Sequence, residues 1–195
     1  MTPLLYLIRH GQTDWNVEQR LQGQAEVDLN AVGLAQIERN AKLLAELVKD
    51  PADFDFVSSP LRRTRATMER IRQEFGLPRE GYRIDTRLME LHFGEWQGFT
   101  YAELEQQRPG TTLGRHAQKW TFVPPGRDAE SYERLAGRVA EWLGEVSRPT
   151  ICTTHGGVIR TLFHLIDAMP TDDAANLPVP QDRILRVSDG KLEWL

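Results

Sequence analysis

Apolar residues run without a break from Leu4 to Ile8 and stop at Arg9-His10-Gly11. A short continuous run of this kind predicts a central strand covered on both faces. From Asn30 the pattern changes. Leu34, Ile37, Ala41, Leu44 and Val48 recur at spacings of three and four, which predicts one buried face of a helix capped by Asn30 and ended by Pro51. Phe54-Asp55-Phe56-Val57 reads as a second strand. Ser59-Pro60 then predicts a helix opening, with serine as the cap and proline in the first helical position. Met68, Ile71 and Phe75 give that helix its buried face, and Gly76-Leu77-Pro78 closes it.

Residues 79–128 hold no sustained period and carry Pro109, Gly110, Pro124, Pro125 and Gly126. They read as an insertion of short helices lying over one edge of the fold and covering the site described below. A further helix is predicted over about 129–146, with Tyr132, Leu135, Val139, Trp142 and Val146 on one side. A third strand over 150–154 ends in His155-Gly156-Gly157, and a helix follows over 158–166. Residues 183–188 and 191–195 form a predicted hairpin across Asp189-Gly190, a type I′ turn signal. Strands alternating with helices predict an α/β fold: a three-layer sandwich with a mostly parallel central sheet and helices on both faces.

Composition narrows the function. A chain of 195 residues is expected to be a single domain over 1–195. The net charge of −4 argues against a nucleic-acid partner, which would call for a basic surface. The one cysteine, Cys152, excludes an internal disulfide and a cysteine-based zinc site, and no convincing metal cluster is visible. No apolar run approaches the ~18 residues of a membrane helix. The start, Met1 to Ile8, has no basic segment before it, so a soluble, cytoplasmic chain is expected.

Candidate chemistry gathers at strand ends. His10 and His155 each follow a strand directly and each precedes glycine. In open α/β sheets, ligands bind beyond the carboxyl ends of the strands. Gly156 and Gly157 also lead into a helix N-terminus, whose free N–H groups favour an anion. Arg9 adjoins His10, and Arg62, Arg63 and Arg65 follow the second strand. Histidines, arginines and free amides at three strand ends suit a phosphoryl dianion and suit a cation poorly. At ~100° per residue the three arginines cannot share one direction, so one or two of them face solvent.

These residues carry a resemblance. Arg9-His10-Gly11-Gln12-Thr13-Asp14-Trp15-Asn16 resembles the signature of the histidine phosphatase superfamily, the phosphoglycerate mutase-like family. Four more segments match in order: Leu21-Gln22-Gly23, the stretch from Ser58 to Thr67, Leu88-Met89-Glu90 with Phe93-Gly94-Glu95-Trp96-Gln97-Gly98, and Thr154-His155-Gly156-Gly157-Val158-Ile159-Arg160. The resemblance implies the phosphoglycerate mutase-like fold, a phosphohistidine intermediate on His10 and no cofactor. It implies that Arg9, Arg63 and His155 hold the phosphoryl oxygens, with Asn16 and the Gly156 amide in support. It makes Glu90 the general acid and places Gln22 and Gly23 on the substrate side. It selects Arg63 from the three arginines.

Histidine attacks phosphorus only through an unprotonated nitrogen, with the other nitrogen held by an acceptor. The acid must carry its proton at the moment of transfer; Glu95 rivals Glu90 because both lie in the same segment, but motif register favours Glu90 and Glu95 otherwise reads as a surface carboxylate. Gln12 replaces a glutamate common in the family, a tuning change, and Thr64 replaces a common alanine. His92, His116 and His164 read as structural or solvated, Cys152 as buried and inert, and Lys119 as exposed. Trp15, Phe93, Trp96, Trp120 and Phe122 read as packing residues with pocket walls as the rival role. Family mutases carry a larger insertion with an Arg-Arg pair, where this chain has Gln118-Lys119. The reading is therefore a phosphatase of small phosphomonoesters. A cofactor-dependent phosphoglycerate mutase is the alternative, and a catalytically silent phospho-ligand module ranks below both. The oligomeric state is not legible.

Overall fold

The N-terminal apolar run is strand β1 (Leu5–Arg9), buried up to Ile8. Its side chains alternate between two cores. Leu5 and Leu7 join one apolar cluster, and Tyr6 and Ile8 join the other. A strand with two apolar faces must lie inside a sheet covered twice. The computed structural model describes residues 3–195 and shows that arrangement.

The elements follow in chain order: α1 (Asp14–Val17), α2 (Ala31–Leu47), β2 (Asp55–Ser58), α3 (Arg62–Glu74), β3 (Arg83–Ile84), α4 (Tyr101–Gln107) and α5 (Leu113–Ala117). Then come α6 (Tyr132–Glu145), β4 (Thr150–Thr154), α7 (Gly156–Asp167), α8 (Thr171–Asn176), β5 (Ile184–Ser188) and β6 (Lys191–Trp194). The sheet order is β3-β2-β4-β1-β5-β6. β3, β2, β4 and β1 pair in parallel, and β5 runs against β1 and β6. The α2 and α3 side chains Ile37, Ala41, Leu44, Met68 and Ile71 are buried under one face. Tyr132, Leu135, Val139 and Trp142 of α6 and Val158, Ile159 and Leu162 of α7 cover the other. The result is the expected α/β sandwich with a mostly parallel sheet. Among the described residues no helix is long and apolar enough to cross a membrane.

Several expectations are corrected. Leu34 is 54% exposed, because Gly33 takes the inward position at the start of α2 and a Cβ there would lie 2.1 Å from the Gln12 carbonyl. The helix after β2 starts at Arg62, behind Leu61, with no side-chain cap. Ser59 lies just past the end of β2, and its amide still donates across to the Thr153 carbonyl of β4 at 3.1 Å. Within 79–128, Arg83–Ile84 form an edge strand rather than a helix. α6 begins at Tyr132, where the Ser131 hydroxyl accepts from the Arg134 amide. α7 begins at Gly156 and ends at Asp167, one turn longer than its apolar pattern. The hairpin turn has φ of 51° at Asp189 and 72° at Gly190, as a type I′ turn requires.

Candidate active site

Parallel pairing of β1 with β4 places Arg9 opposite Thr154. The next residue on each strand is therefore His10 and His155, side by side at the carboxyl edge of the sheet. The His10 amide donates to the Thr154 carbonyl at 3.0 Å. The two rings lie 5.3 Å apart between centroids, at 60°. Both are buried.

The tautomer of His10 follows from its partner. Nδ1 lies 2.8 Å from the Gly11 carbonyl, which can only accept. Nδ1 therefore carries the proton, and Nε2 keeps its lone pair. Burial, then the Arg63 and Arg9 charges, hold the imidazole well below its ordinary 6.5. His155 is held down in the same way, by burial and then by Arg63. Its Nε2 is 2.8 Å from the Ser59 hydroxyl, and its buried Nδ1 has no partner.

A cleft of about 170 Å³ opens over the His10 ring. Arg9, His10, Asn16, Gln22, Gly23, Arg63 and Glu90 all line it. Arg63 is buried and ties Nη1 to the Ala25 carbonyl and Nη2 to the Gly23 carbonyl, both at 2.8 Å. Arg62 instead pairs with Glu26 and Asp28, and exposed Arg65 meets Tyr82. The helical twist thus separates the three arginines. Burial lowers Arg9 to about 10, with Arg160 adding to the effect, and burial lowers Arg63 to about 10. Both keep their charge at neutral pH. Arg9 Nε, Arg63 Nε and His155 Nδ1 are buried donors or acceptors without a partner, as is Gln22 Oε1. Buried polar atoms normally find partners. Two guanidinium donors left open on one cleft, with an unpartnered imidazole nitrogen on the ring beside His10, suit a bound oxyanion.

Asn16 Oδ1 accepts from the Thr13 amide, the Thr13 hydroxyl and Gln181 Nε2. This fixes the amide and leaves Nδ2 as the end available to a ligand. Gly156 opens α7, where backbone N–H groups lack intrahelical partners. Both carboxylate oxygens of Glu90 lie 3.1 Å from the Gly157 amide nitrogen, and its Oε1 accepts from the Leu91 amide at 2.9 Å. A Cβ at Gly157 would stand 2.1 Å from Glu90 Oε1. Gly23 has φ of 52°, and a Cβ there would strike Gln97. Glu95 is exposed and lines a different surface depression, so Glu90 alone of the two reaches the cleft.

Seven of the nine sequence-selected residues line the cleft, and the other two adjoin it, His155 beside His10 and Gly156 beside Arg9. Phe93 takes the pocket-wall role that was the rival reading; sequence reasoning missed Arg20 and Arg160, which also line the cleft, and Ser59 and Gln181, which hold its residues. Arg160 follows Gly156 by four, one helical turn, a signal that was readable. Gln181 carried no signal. Lys119 is half-buried, with Nζ on Asn176 Oδ1 at 3.0 Å, and not simply exposed. Trp96 stacks on Phe122 and Trp120 on Tyr132, so those aromatics pack together while Phe93 faces the cleft. His92 Nδ1 accepts from Gly94, and His164 Nδ1 donates to the Met169 carbonyl. Cys152 is buried, which pushes its thiol up. Among the described residues, no group of three His, Cys, Asp or Glu side chains is placed to hold a metal.

Comparison with known proteins gives a consistent result. The chain is 36% identical over 185 residues to the glucosyl-3-phosphoglycerate phosphatase of Mycobacterium tuberculosis, covering 89% of this chain and 78% of that protein. It is 32% identical over 204 residues to a probable phosphoglycerate mutase GpmB of Proteus mirabilis, covering 98% and 87%. Among solved structures, a mycobacterial glucosyl-3-phosphoglycerate phosphatase complexed with VO3 superposes with a TM-score of 0.79 at 31% identity, covering 99% of this chain and 96% of that one. A family model for the histidine phosphatase superfamily (branch 1) matches residues 5–192, and the chain belongs to that superfamily.

Proposed function

We propose that the protein is a phosphatase that hydrolyses small phosphomonoesters through a phosphohistidine on His10. The carrying observation is the pair of buried imidazoles 5.3 Å apart, with the unpartnered guanidinium nitrogens of Arg9 and Arg63 on the same cleft. His10 Nε2 attacks phosphorus with its free lone pair. Arg9, Arg63, His155 and the Gly156 amide take the charge on the three equatorial oxygens, with Asn16 beside them. Glu90 protonates the leaving oxygen, and Gln22 and Gly23 border the alcohol. In the second half, Glu90 takes a proton from the water that attacks phosphohistidine, which frees His10 and inorganic phosphate. The chain acts as one domain, with residues 79–128 supplying Glu90 and Phe93 to the cleft. A cytoplasmic location belongs to this reading and is supported by the lone, buried Cys152.

The mutase alternative shares the first half-reaction and has a relative named for it. It requires phosphohistidine to be shielded from water until the alcohol returns. The phosphatase reading is supported by relatives named as phosphatases, a mycobacterial glucosyl-3-phosphoglycerate phosphatase, whose structure is solved, and a metal-independent phosphoserine phosphatase of Arabidopsis thaliana. The test is a panel of phosphomonoesters that includes both phosphoglycerates, assayed for phosphate release and for isomerisation. Release abolished by His10→Ala is the expected result, with phosphohistidine trapped by acid-free denaturation and detected by ³¹P NMR. Isomerisation without release establishes the mutase instead.

A further inference from the structure

A second cavity opens at the edge of the sheet away from the histidines. β2 begins there with Asp55 and runs toward Ser59, four residues and so ~13 Å further along the chain. The cavity holds about 600 Å³ and lies between the start of β2, the end of α3 and the loop that follows α3. Phe54, Phe56 and Leu77 give it apolar walls. Small-molecule sites have this make-up, an apolar wall with a few placed polar groups. None of its lining residues borders the catalytic cleft.

Arg72, in the last turn of α3, is the buried polar group of this cavity. It is 7% exposed, and its guanidinium carbon lies 4.9 Å from the Phe56 ring centroid. Nε donates to the Pro78 carbonyl at 2.8 Å. Nη2 faces Gly81, where a Cβ would stand 3.1 Å from it, and Gly81 also borders the cavity. Among the described residues, Nη1 and Nη2 have no hydrogen-bond partner and Arg72 has no ion pair. Arginine is seldom this buried without a partner. Arg70, on the same helix, shows the usual solution, since it holds Glu38 and Glu74.

The other charges around the cavity divide by whether they already have a counter-ion. Asp55 pairs with Arg148 at 3.3 Å, and Arg83 with Asp85 at 3.4 Å. Asp50 has no ion pair among the described residues; its Oδ1 accepts from the Ala52 amide at 2.9 Å, and its Oδ2 has no partner. One cation and one anion therefore remain on the wall, Arg72 and Asp50, and they do not pair with each other. A simple anion would be drawn to the first and repelled by the second, and a simple cation the reverse. A molecule that carries both charges answers both.

We propose that this cavity binds a small zwitterion with an apolar body, the chemistry of an apolar amino acid or dipeptide. Its carboxylate lies on the two open nitrogens of Arg72, a bidentate fit. Its ammonium faces Asp50, and its side chain rests against Phe54 and Leu77. The site is separate from catalysis and does not depend on the phosphatase reading.

The test is titration calorimetry with L-phenylalanine and the dipeptide Phe-Leu. At least one of them is expected to bind ~5-fold more tightly than 3-phenylpropionate, which lacks the ammonium and loses one exposed ion pair. It should bind ~10-fold or more tightly than phenethylamine, which leaves the buried guanidinium unanswered. Asp50→Asn keeps the cap and removes the charge, so it should erase the ~5-fold margin over 3-phenylpropionate. Arg72→Lys should abolish most of the affinity, because an ammonium cannot grip a carboxylate bidentately. Denaturant unfolding reports whether each variant is folded; if Arg72→Lys is not, Ala52→Trp, which fills the cavity from its exposed rim, replaces it. Saturating inorganic phosphate occupies the catalytic cleft and should leave the affinity unchanged. No binding of either zwitterion at millimolar concentration overturns the site. So do equal affinities for the zwitterion and its two singly charged analogues, a margin untouched by Asp50→Asn, or displacement by phosphate.

Discussion

Ser59 Oγ lies 2.8 Å from Nε2 of His155, inside the protein, and Nδ1 of the same ring is buried without a partner. A phosphoryl oxygen can only accept, so His155 serves it only with a proton on Nδ1. When Ser59 donates to Nε2, that tautomer is selected. Ser59→Ala removes the selection and leaves a buried nitrogen without a partner. The cost of such a loss is ~1–3 kcal/mol, so kcat is expected to fall ~10-fold, with KM changing less. Steady-state kinetics over pH 5–8 checks this. Unchanged kcat throughout would show that the hydroxyl is only packing.

The two imidazoles tie folding stability to pH. In the folded chain both are held well below 6.5, by burial first and then by Arg63. The unfolded chain takes up its protons near the ordinary value, so below about pH 6.5 it binds more protons than the folded one. Stability is therefore full above that value and declines as pH falls, by up to ~1.4 kcal/mol per unit for each histidine. Denaturant unfolding at pH 7, 6 and 5 measures the slope. His10→Ala should flatten it, and saturating inorganic phosphate should flatten it too, since an anion favours protonated rings. For the same reason the acid limb of kcat/KM is expected below pH 6.5.

Strand ends were legible because a run such as Leu4 to Ile8 has only one way to stop, and what stops it, Arg9-His10, becomes the site. The convergence of His10 with His155 needed the β1–β4 register, which no local pattern contains. Ser59 was misread for a physical reason. Ser-Pro is a good helix start, but the Ser59 amide is already committed to Thr153 across the sheet, and its hydroxyl to His155. Leu34 failed because the helical stripe assumes a uniform surface beneath it, whereas α2 begins against the backbone of Gln12. Residues 79–128 stayed opaque because 3-10 turns such as Gly94–Trp96 are fixed by distant partners. The Glu95 amide, for example, donates to the Pro125 carbonyl.

Arg63 joins the phosphoryl cage to the loop at Gly23. Its two terminal nitrogens hold the Ala25 and Gly23 carbonyls, which leaves Nε for the substrate. A lysine keeps the charge and cannot span both carbonyls and a ligand. Arg63→Lys is therefore expected to lose nearly as much as Arg63→Ala, ~10²–10³ in kcat/KM. Parallel assays of the two variants settle the point. Recovery of most activity by lysine would reduce Arg63 to a point charge.

Glu90 and Gly157 give a test that separates the acid from the rest of the machinery. The carboxylate is seated on the Gly157 amide at 3.1 Å, and a methyl at position 157 would stand 2.1 Å from Oε1. Gly157→Ala must therefore push Glu90 off its seat without touching His10 or the arginines' charges. Glu90→Gln keeps the shape and removes the transferable proton. General acid catalysis is worth ~10²–10⁴ where the leaving alcohol is poor, and it is worth little for p-nitrophenolate, which departs as a stable anion. Both variants should therefore lose ~10² or more in kcat/KM on an alkyl phosphate such as glycerol 3-phosphate, and far less in kcat/KM on p-nitrophenyl phosphate. Dephosphorylation of phosphohistidine is slowed as well, because Glu90 also activates the water, so the trapped intermediate should accumulate with the activated ester. Equal losses in kcat/KM on both substrates would mean that Glu90 holds the site together and does not move the proton.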